Sequence, residues 1–376
     1  MGKTQGRPFQ LSVNASLEAG FQDSRIAPDG GLVELRELGK RFGFLSWLLM
    51  LVRQKTTWSP AVISGELWRL LINIGRYREI LNLLKLRPFA EIAQKNPGFA
   101  FIYLVPNYLA RGFTGTECVS CFLHHYRRIH AVLSESVLRQ ILQGYVTLYE
   151  IVEGGNRFAF TMGLPERMGD MEGELSLDLR VDGKKVFNLC FTIVPGWVVK
   201  AEVPEILLIT HLQGVKGSKT QIKLARNALH DYSPRAMLLA ALQGIADAFE
   251  ISEIGAVCAT KQRAYTKECA AILKSGYDEF FDKVGMVKTS AGFYFSPIPI
   301  EGKPLASLKG REKSRARTRR AMRQQIQLAS AAFLLGAVDR AAHSSSGAVN
   351  SSPVPGTVES RPSPIFSPPP DCDLTL

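Results

Sequence analysis

The sequence predicts an α+β fold: an N-terminal helical part, a mixed β-sheet core with crossover helices, a basic C-terminal helix and a disordered tail. Three observations carry that prediction. Apolar residues recur at helical spacing up to about residue 150 and alternate with polar ones beyond it. A continuously apolar strand then feeds two helices and a second strand, the mark of a crossover within one sheet. Finally, basic residues concentrate on one late helical segment.

Residues 1–30 are polar and glycine-bearing without a sustained period, and read as a disordered arm. Residues 31–150 form the helical part. Trp68, Leu71, Ile72, Ile74 and Leu81 fall near one face of a helix over 66–85. Ser134 opens another, with Val137, Leu138, Ile141 and Leu142 at helical spacing. Pro60, Pro88, Pro97 and Pro106 divide the region into short helices.

Residues 151–305 form the sheet core. "RFAFTMG" (157–163) reads as a strand. "ELSLDLR" and the run Phe187, Leu189, Phe191, Ile193 alternate around Asp182-Gly183, the clearest hairpin in the chain. "ILLITHL" (206–212) is apolar except Thr210 and His211, so it should be a central strand covered on both faces. Ser218 and Gln221 have capping-box spacing for a helix lined by Ile222, Ala225 and Leu229. Ser233-Pro234 starts a second helix, "EIGAVCA" (253–259) is a short strand, and "GFYFSPIP" (292–299) a last one.

Residues 306–340 form the basic amphipathic helix. From Lys309 to Arg323 there are eight basic residues against Glu312, so +7 of the chain's net +12 lies there. Met322, Ile326, Ala329 and Phe333 make an apolar stripe behind the charges. Residues 341–376 are Ser/Pro-rich, with seven prolines in the last 34 residues, and should be disordered.

Other function classes recede on composition. The longest apolar run, "FGFLSWLLMLV", has eleven residues, too few to cross a bilayer as a helix. Neither a secretory leader nor a myristoylation signal is expected, since Gly6 stands where the latter needs Ser or Thr. Six cysteines in 376 residues suit reduced thiols in the cytosol better than a disulfide framework.

Several stretches together resemble the VirK/YbjX family of bacterial proteins over roughly residues 95–325. They are "HHYRRI" (124–129), "MEGELSLDL" with "LCFTI", "LITHLQG" (208–214), "LARNALHDYSPRAMLL" (224–239), "SGYDEFFDKVG" with "GFYFSP", and the basic run after Lys309. The family usually shows Arg-Pro-Lys at Ser233-Pro234-Arg235 and Thr-Lys at Ala225-Arg226, so its basic register is kept only in part, through Arg226 and Arg235, with Ser233 in place of the family's arginine. The resemblance implies a cytoplasmic or inner-membrane-associated factor tied to virulence, antimicrobial-peptide resistance and cell-envelope state. It does not deliver a reaction.

The residues themselves offer a donor site. Gln213, Gly214, Lys216, Gly217, Ser218 and Lys219 form a strand-to-helix turn whose amides and lysines suit the pyrophosphate of acyl-CoA or another phosphorylated donor, with Arg226 nearby. The turn is loosely similar to the Gln/Arg-x-x-Gly-x-Gly/Ala loop of acyltransferases with an acetyltransferase-like fold, except that Lys216 stands in place of a glycine. The other reading is a plain connector. An acyl- or aminoacyl-transferase needs a base, for which Glu172 and Glu174 on one strand face are candidates, and an acid, for which Tyr265, Tyr277 and Tyr294 are. His211 reads foremost as a buried core histidine. The "CVSCFLHH" run reads as helix rather than as a zinc site, so no metal is expected. Arg315, Arg317, Arg319, Arg320 and Arg323 would hold an anionic membrane or nucleic-acid phosphates. That second use defines the alternative function, a non-enzymatic adaptor.

Overall fold

The computed structural model describes residues 74–344, apart from 96, 106, 166–171 and 301–303. The expected arm, the start of the 66–85 helix and the tail beyond 344 lie outside the described residues. The core is a mixed eight-stranded sheet with helices before, within and after it, the α+β architecture the patterning predicts.

Among the described residues four α-helices precede the sheet: α1 (Ile74–Leu84), α2 (Arg87–Lys95), α3 (Gly115–Val132) and α4 (Glu135–Gln143). Thr114 starts α3 through a reciprocal capping box with Glu117. Ser134 caps α4 by accepting from the Val137 amide. In α1 it is Ile80 and Leu83 that are buried, whereas Leu81, expected on the inner stripe, faces out.

The strands are β1 (Tyr145–Glu153), β2 (Asn156–Gly163), β3 (Leu175–Val181), β4 (Lys184–Pro195), β5 (Glu205–Gly214), β6 (Glu253–Val257), β7 (Val287–Lys288) and β8 (Phe293–Pro297), in the order β1-β2-β3-β4-β5-β6-β8-β7. Strand β1 begins inside the stretch expected to be helical; Gly144 ends α4 and the chain turns directly into the sheet. The β3–β4 hairpin turns at Asp182-Gly183, both at positive φ, as a two-residue turn that matches strand twist requires.

From β1 to β5 each strand is antiparallel to the next, and β5 to β6 is the one parallel step. The crossover between them is α6 (Lys219–Ala228) and α7 (Pro234–Ala248); the short α5 (Gly196–Val199) links β4 to β5. Helix α7 packs on β3, β4, β5 and β6, while α3 packs on β4 and α4 on β1 and β2. Buried residues follow one another from Leu175 to Leu179 in β3 and from Ile206 to Leu212 in β5, so both sheet faces are covered there.

After β6 come α8 (Ala270–Leu273), a π-helical turn at Lys274–Asp278 and α9 (Glu279–Val284). The long α10 (Gly310–Ser344) packs along α7. Met322, Ile326, Ser330 and Leu334 are buried there, and a Cβ on Gly244 would stand 2.1 Å from the Gln327 carbonyl oxygen. The apolar stripe therefore serves the core. Its register differs slightly from the expected one, with Ala329 and Phe333 half-buried at its margin.

Cys118, Cys121, Cys190 and Cys258 are buried thiols outside any disulfide. Cys269, in contrast to the expectation for every cysteine, is disulfide-bonded.

Candidate active site

The parallel pairing of β5 with β6 is short. Leu207, Leu208 and Ile209 pair with Ile254, Gly255 and Ala256, and β5 then continues to Gly214 paired only with β4. Two parallel strands that part at their carboxyl ends, where the connectivity changes, form the usual ligand crevice of an open sheet. A bulge marks the parting: Phe191 pairs with Ile209 and Cys190 with His211, leaving Thr210 as the extra residue. The Thr210 hydroxyl donates to the Glu172 carbonyl, with the Cys190 carbonyl 3.2 Å away. That bond ties the segment before β3 to the strand carrying His211.

At this point three side chains meet. His211 Nδ1 lies 2.5 Å from Glu172 Oε2 and 3.3 Å from the Tyr277 hydroxyl. The same hydroxyl accepts from the Leu212 amide at 3.3 Å. Burial works to raise the Glu172 carboxyl, but the His211 imidazole, by charge and hydrogen bond, and the Arg263 charge hold it below the ordinary value. Burial and the Glu172 charge push the Tyr277 phenol well above its ordinary value. Tyr277 sits in the π-helical turn, a distortion frequent at functional sites.

The hydrogen-bond count is informative. In the neutral form of the ring, with the Nδ1 proton given to Glu172, His211 keeps Nε2 as an acceptor, and that nitrogen has no partner among the described residues. The phenol oxygen already accepts from Leu212, and Nδ1, being protonated, cannot accept the phenol's proton. That proton has no acceptor among the described residues.

Glu174 lies elsewhere. Its two carboxyl oxygens accept from the hydroxyls of Tyr108 and Tyr126, deep against α3. Burial raises it to about 7 against the lowering effect of the two phenols. Glu172 and Glu174 therefore do not share a strand face. Both precede β3, and Gly173 between them, at φ +150°, is packed so closely that a Cβ would meet Cys190, Phe191 and Thr210 within 2.9 Å.

Among the other candidates, Tyr294 is buried on β8, paired with Ala256 and raised by burial and by Asp278 and Asp282, not joined to the Glu172–His211 pair. Tyr265 lies beneath the Arg111 guanidinium, 5.7 Å from its ring centre. His124 and Arg128 bind Glu205, and His125 accepts from the Ile193 amide, with burial lowering it to about 3. Cys118 and Cys121 are buried on α3, and no group of three or more metal-ligating side chains converges among the described residues.

The Gln213–Lys219 turn is partly committed. The Val215 amide donates to Val186 and the Ser218 amide to Val215. Ser218, at ψ 18°, makes no side-chain cap, because capping needs an extended backbone there; the expected box with Gln221 does not form. Gly214 is buried against Ile222 and Phe187. Lys216, Gly217 and Lys219 remain exposed beside Gln213, with Gly217 at φ +82°. Arg226 is ion-paired with Asp231 on the surface.

On α10, Arg315 and Arg317 are exposed. Arg319 reaches the His230 carbonyl at 3.5 Å and Arg323 the Ile300 carbonyl at 3.0 Å. Arg320 is half-buried. The basic half of α10 thus borders the α6–α7 corner, where the Arg323 and Arg319 charges also act on Tyr232.

Sequence reasoning gave His211 only a minor role, named Arg235 only through the family's basic register and passed over Arg263. A histidine inside an apolar run was the available signal for the first. The other two become notable only through partners brought in by the fold.

No curated protein and no solved structure matches the chain. One family model does, over residues 67–332, which takes in the whole sheet and both candidate surfaces. On that match the chain belongs to the family described as a protein of unknown function, DUF535.

Proposed function

We propose that this protein is an acyl- or aminoacyl-transferase whose reacting centre is Glu172, His211 and Tyr277 at the parting of β5 and β6. One observation carries the reading: an imidazole, oriented through Nδ1 by a carboxylate, stands on β5 just beyond the end of its parallel pairing with β6, where open sheets bind ligands. The sequence of strand, crossover helices, parallel strand and late antiparallel pair also suits an acetyltransferase-like core, which is support by analogy of fold alone.

In this reading His211 Nε2 takes the proton from an acceptor amine or hydroxyl as its nitrogen or oxygen attacks the acyl carbon. Glu172 stabilises the imidazolium that forms. The bond from the acyl carbon to sulfur, or to the ester oxygen of an aminoacyl donor, then breaks, and the imidazolium returns its proton to the leaving group. Tyr277 holds its proton too firmly to be the acid first expected, so it donates a hydrogen bond to the developing negative charge. Lys216 and Lys219 receive the donor's phosphates.

The experiment is a thermal-shift and thiol-release series with acetyl-CoA and a long-chain acyl-CoA plus a mixed set of amine acceptors. Donor-dependent stabilisation that weakens in Lys216→Glu, with thiol release lost in His211→Gln, supports the reading. A wild-type protein that neither binds nor cleaves any donor removes it. Lys216→Glu is a cleaner probe than a substitution at Gly214, which would disturb packing.

A second reading rests on the exposed arginines of α10. A non-enzymatic adaptor would use Arg311, Arg315 and Arg317 to hold polyanions. Because the apolar stripe is buried against α7, contact with an anionic membrane would be electrostatic and sensitive to salt. Either reading is compatible with the VirK/YbjX-type setting at the cytoplasmic face of a bacterial envelope. Among the described residues no helix is long and apolar enough to cross a membrane.

A further inference from the structure

Most of the inward-turned arginines have an evident electrostatic reason to be where they are. Arg128 meets Glu205, Arg139 meets Glu91 and Glu135, and Arg180 meets Asp178. Arg235 differs. It lies in the first turn of α7, directly after Pro234, and its guanidinium is half-buried. It makes no hydrogen bond or ion pair with any described residue; its contact is with the face of the Phe280 ring, 5.9 Å from the centroid. Desolvation works against its charge, and the charge reaches the Tyr277 phenol. Tyr277 in turn touches His211 and Leu212. A guanidinium drawn part-way out of water without an acid is unfavourable unless an anion completes it.

We propose that Arg235 is an anion-binding residue, seating a phosphate or carboxylate of the molecule that reacts at His211. A planar guanidinium pairs with either group through two parallel N–H···O bonds, and Phe280 and Pro234 hold the fork in place. The α7 amides are not the source of the site, since the Ser233 hydroxyl already accepts from the Ala236 amide. The identity of the reacting molecule rests on the transferase reading. The anion seat does not, because it is tested without any transfer chemistry. A phosphate would belong to the donor and a carboxylate to the acceptor.

The test is thermal unfolding of the full chain, wild type and Arg235→Met, titrated with sodium pyrophosphate, with sodium succinate and with sodium chloride at matched ionic strength. The expected result has two parts. Without anions, Arg235→Met melts at or above the wild-type temperature, because an uncompensated charge has been replaced by an apolar chain of similar length. Pyrophosphate or succinate raises the wild-type melting temperature beyond the chloride control, and the variant needs at least tenfold more of that anion for the same shift. Response to pyrophosphate identifies the donor side, and response to succinate the acceptor side. The proposal is overturned if neither anion stabilises the wild type, if both proteins respond alike, or if Arg235→Met melts lower without anions, as a structural arginine would. If anion binding stands while acyl donors remain inert, the seat survives and the transferase reading falls.

Discussion

Glu172 and Glu174 are two residues apart and share no partner: Glu172 meets His211 in the crevice, whereas Glu174 is enclosed by Tyr108 and Tyr126. Gly173 permits that divergence. The pair places a proton-handling carboxylate and a structural carboxyl on one short turn, and the two titrate in opposite directions from the ordinary value.

That opposition sets the pH dependence of stability. Glu174 is raised from 4.5 to about 7 by burial. The folded protein therefore binds its proton more tightly than the unfolded chain does. The contribution is fully present below pH 4.5 and is lost as pH rises through about 7, a change on the order of 3 kcal/mol. Glu172 is lowered, so its contribution is present above 4.5 and is lost as pH falls through its folded value. Urea titrations across this range should show that Glu174→Gln flattens the neutral-side loss and leaves the acid-side loss in place. An unchanged neutral slope would show that Glu174 is ionised throughout.

Gly173→Ala should destabilise by about 1–3 kcal/mol, since the added methyl enters space held by Cys190, Phe191 and Thr210 at a backbone angle that favours glycine. Because the Glu172 carbonyl is held by Thr210, the same change should displace Glu172 from His211. Chemical denaturation gives the first effect. Loss of thiol release beyond what the stability change explains gives the second.

Tyr277→Phe removes the acceptor of the buried Leu212 amide and should cost about 1–3 kcal/mol. The catalytic signature is separate: kcat should fall while donor affinity holds, because the phenol acts on developing charge. Equal losses in kcat and donor affinity would instead make Tyr277 a binding residue.

For α10, the two faces should respond differently. Ile326→Ala opens the α7 contact and should destabilise by about 2–5 kcal/mol. Reversing Arg311, Arg315 and Arg317 to glutamate should leave the melting temperature nearly unchanged while abolishing binding to polyanions or anionic vesicles. Removal of the helix is a poor test, since it would strip α7 of its cover.

The parts of the fold legible in the sequence were those governed by local rules. The β3–β4 hairpin follows from period-2 alternation around Asp182-Gly183, and β5 with its crossover from an unbroken apolar run followed by two helix starts. Strand β1 was not legible, because its exposed and buried positions lose their alternation after Leu148. Ser218 and Gln221 had the spacing of a capping box, but the turn onto Val215 gives Ser218 the wrong backbone for it. Treating Glu172 and Glu174 as one face applied strand geometry to residues that precede the strand. Arg235 could not have been singled out from position alone. Its importance lies in burial without a counter-charge, a property of packing rather than of local sequence.

The central claim concerns which nitrogen of His211 is poised to react, and imidazole-detected NMR of protein labelled with 15N-histidine reads it directly, with His211→Gln identifying the resonance among the six histidines. The prediction is that the neutral form of the ring carries its proton on Nδ1, leaving a bare Nε2 whose signal shifts when acyl-CoA is added, and that this tautomer is lost in Glu172→Ala, which has no acceptor for that proton. A ring protonated on Nε2, or an Nε2 signal indifferent to every donor, would contradict it.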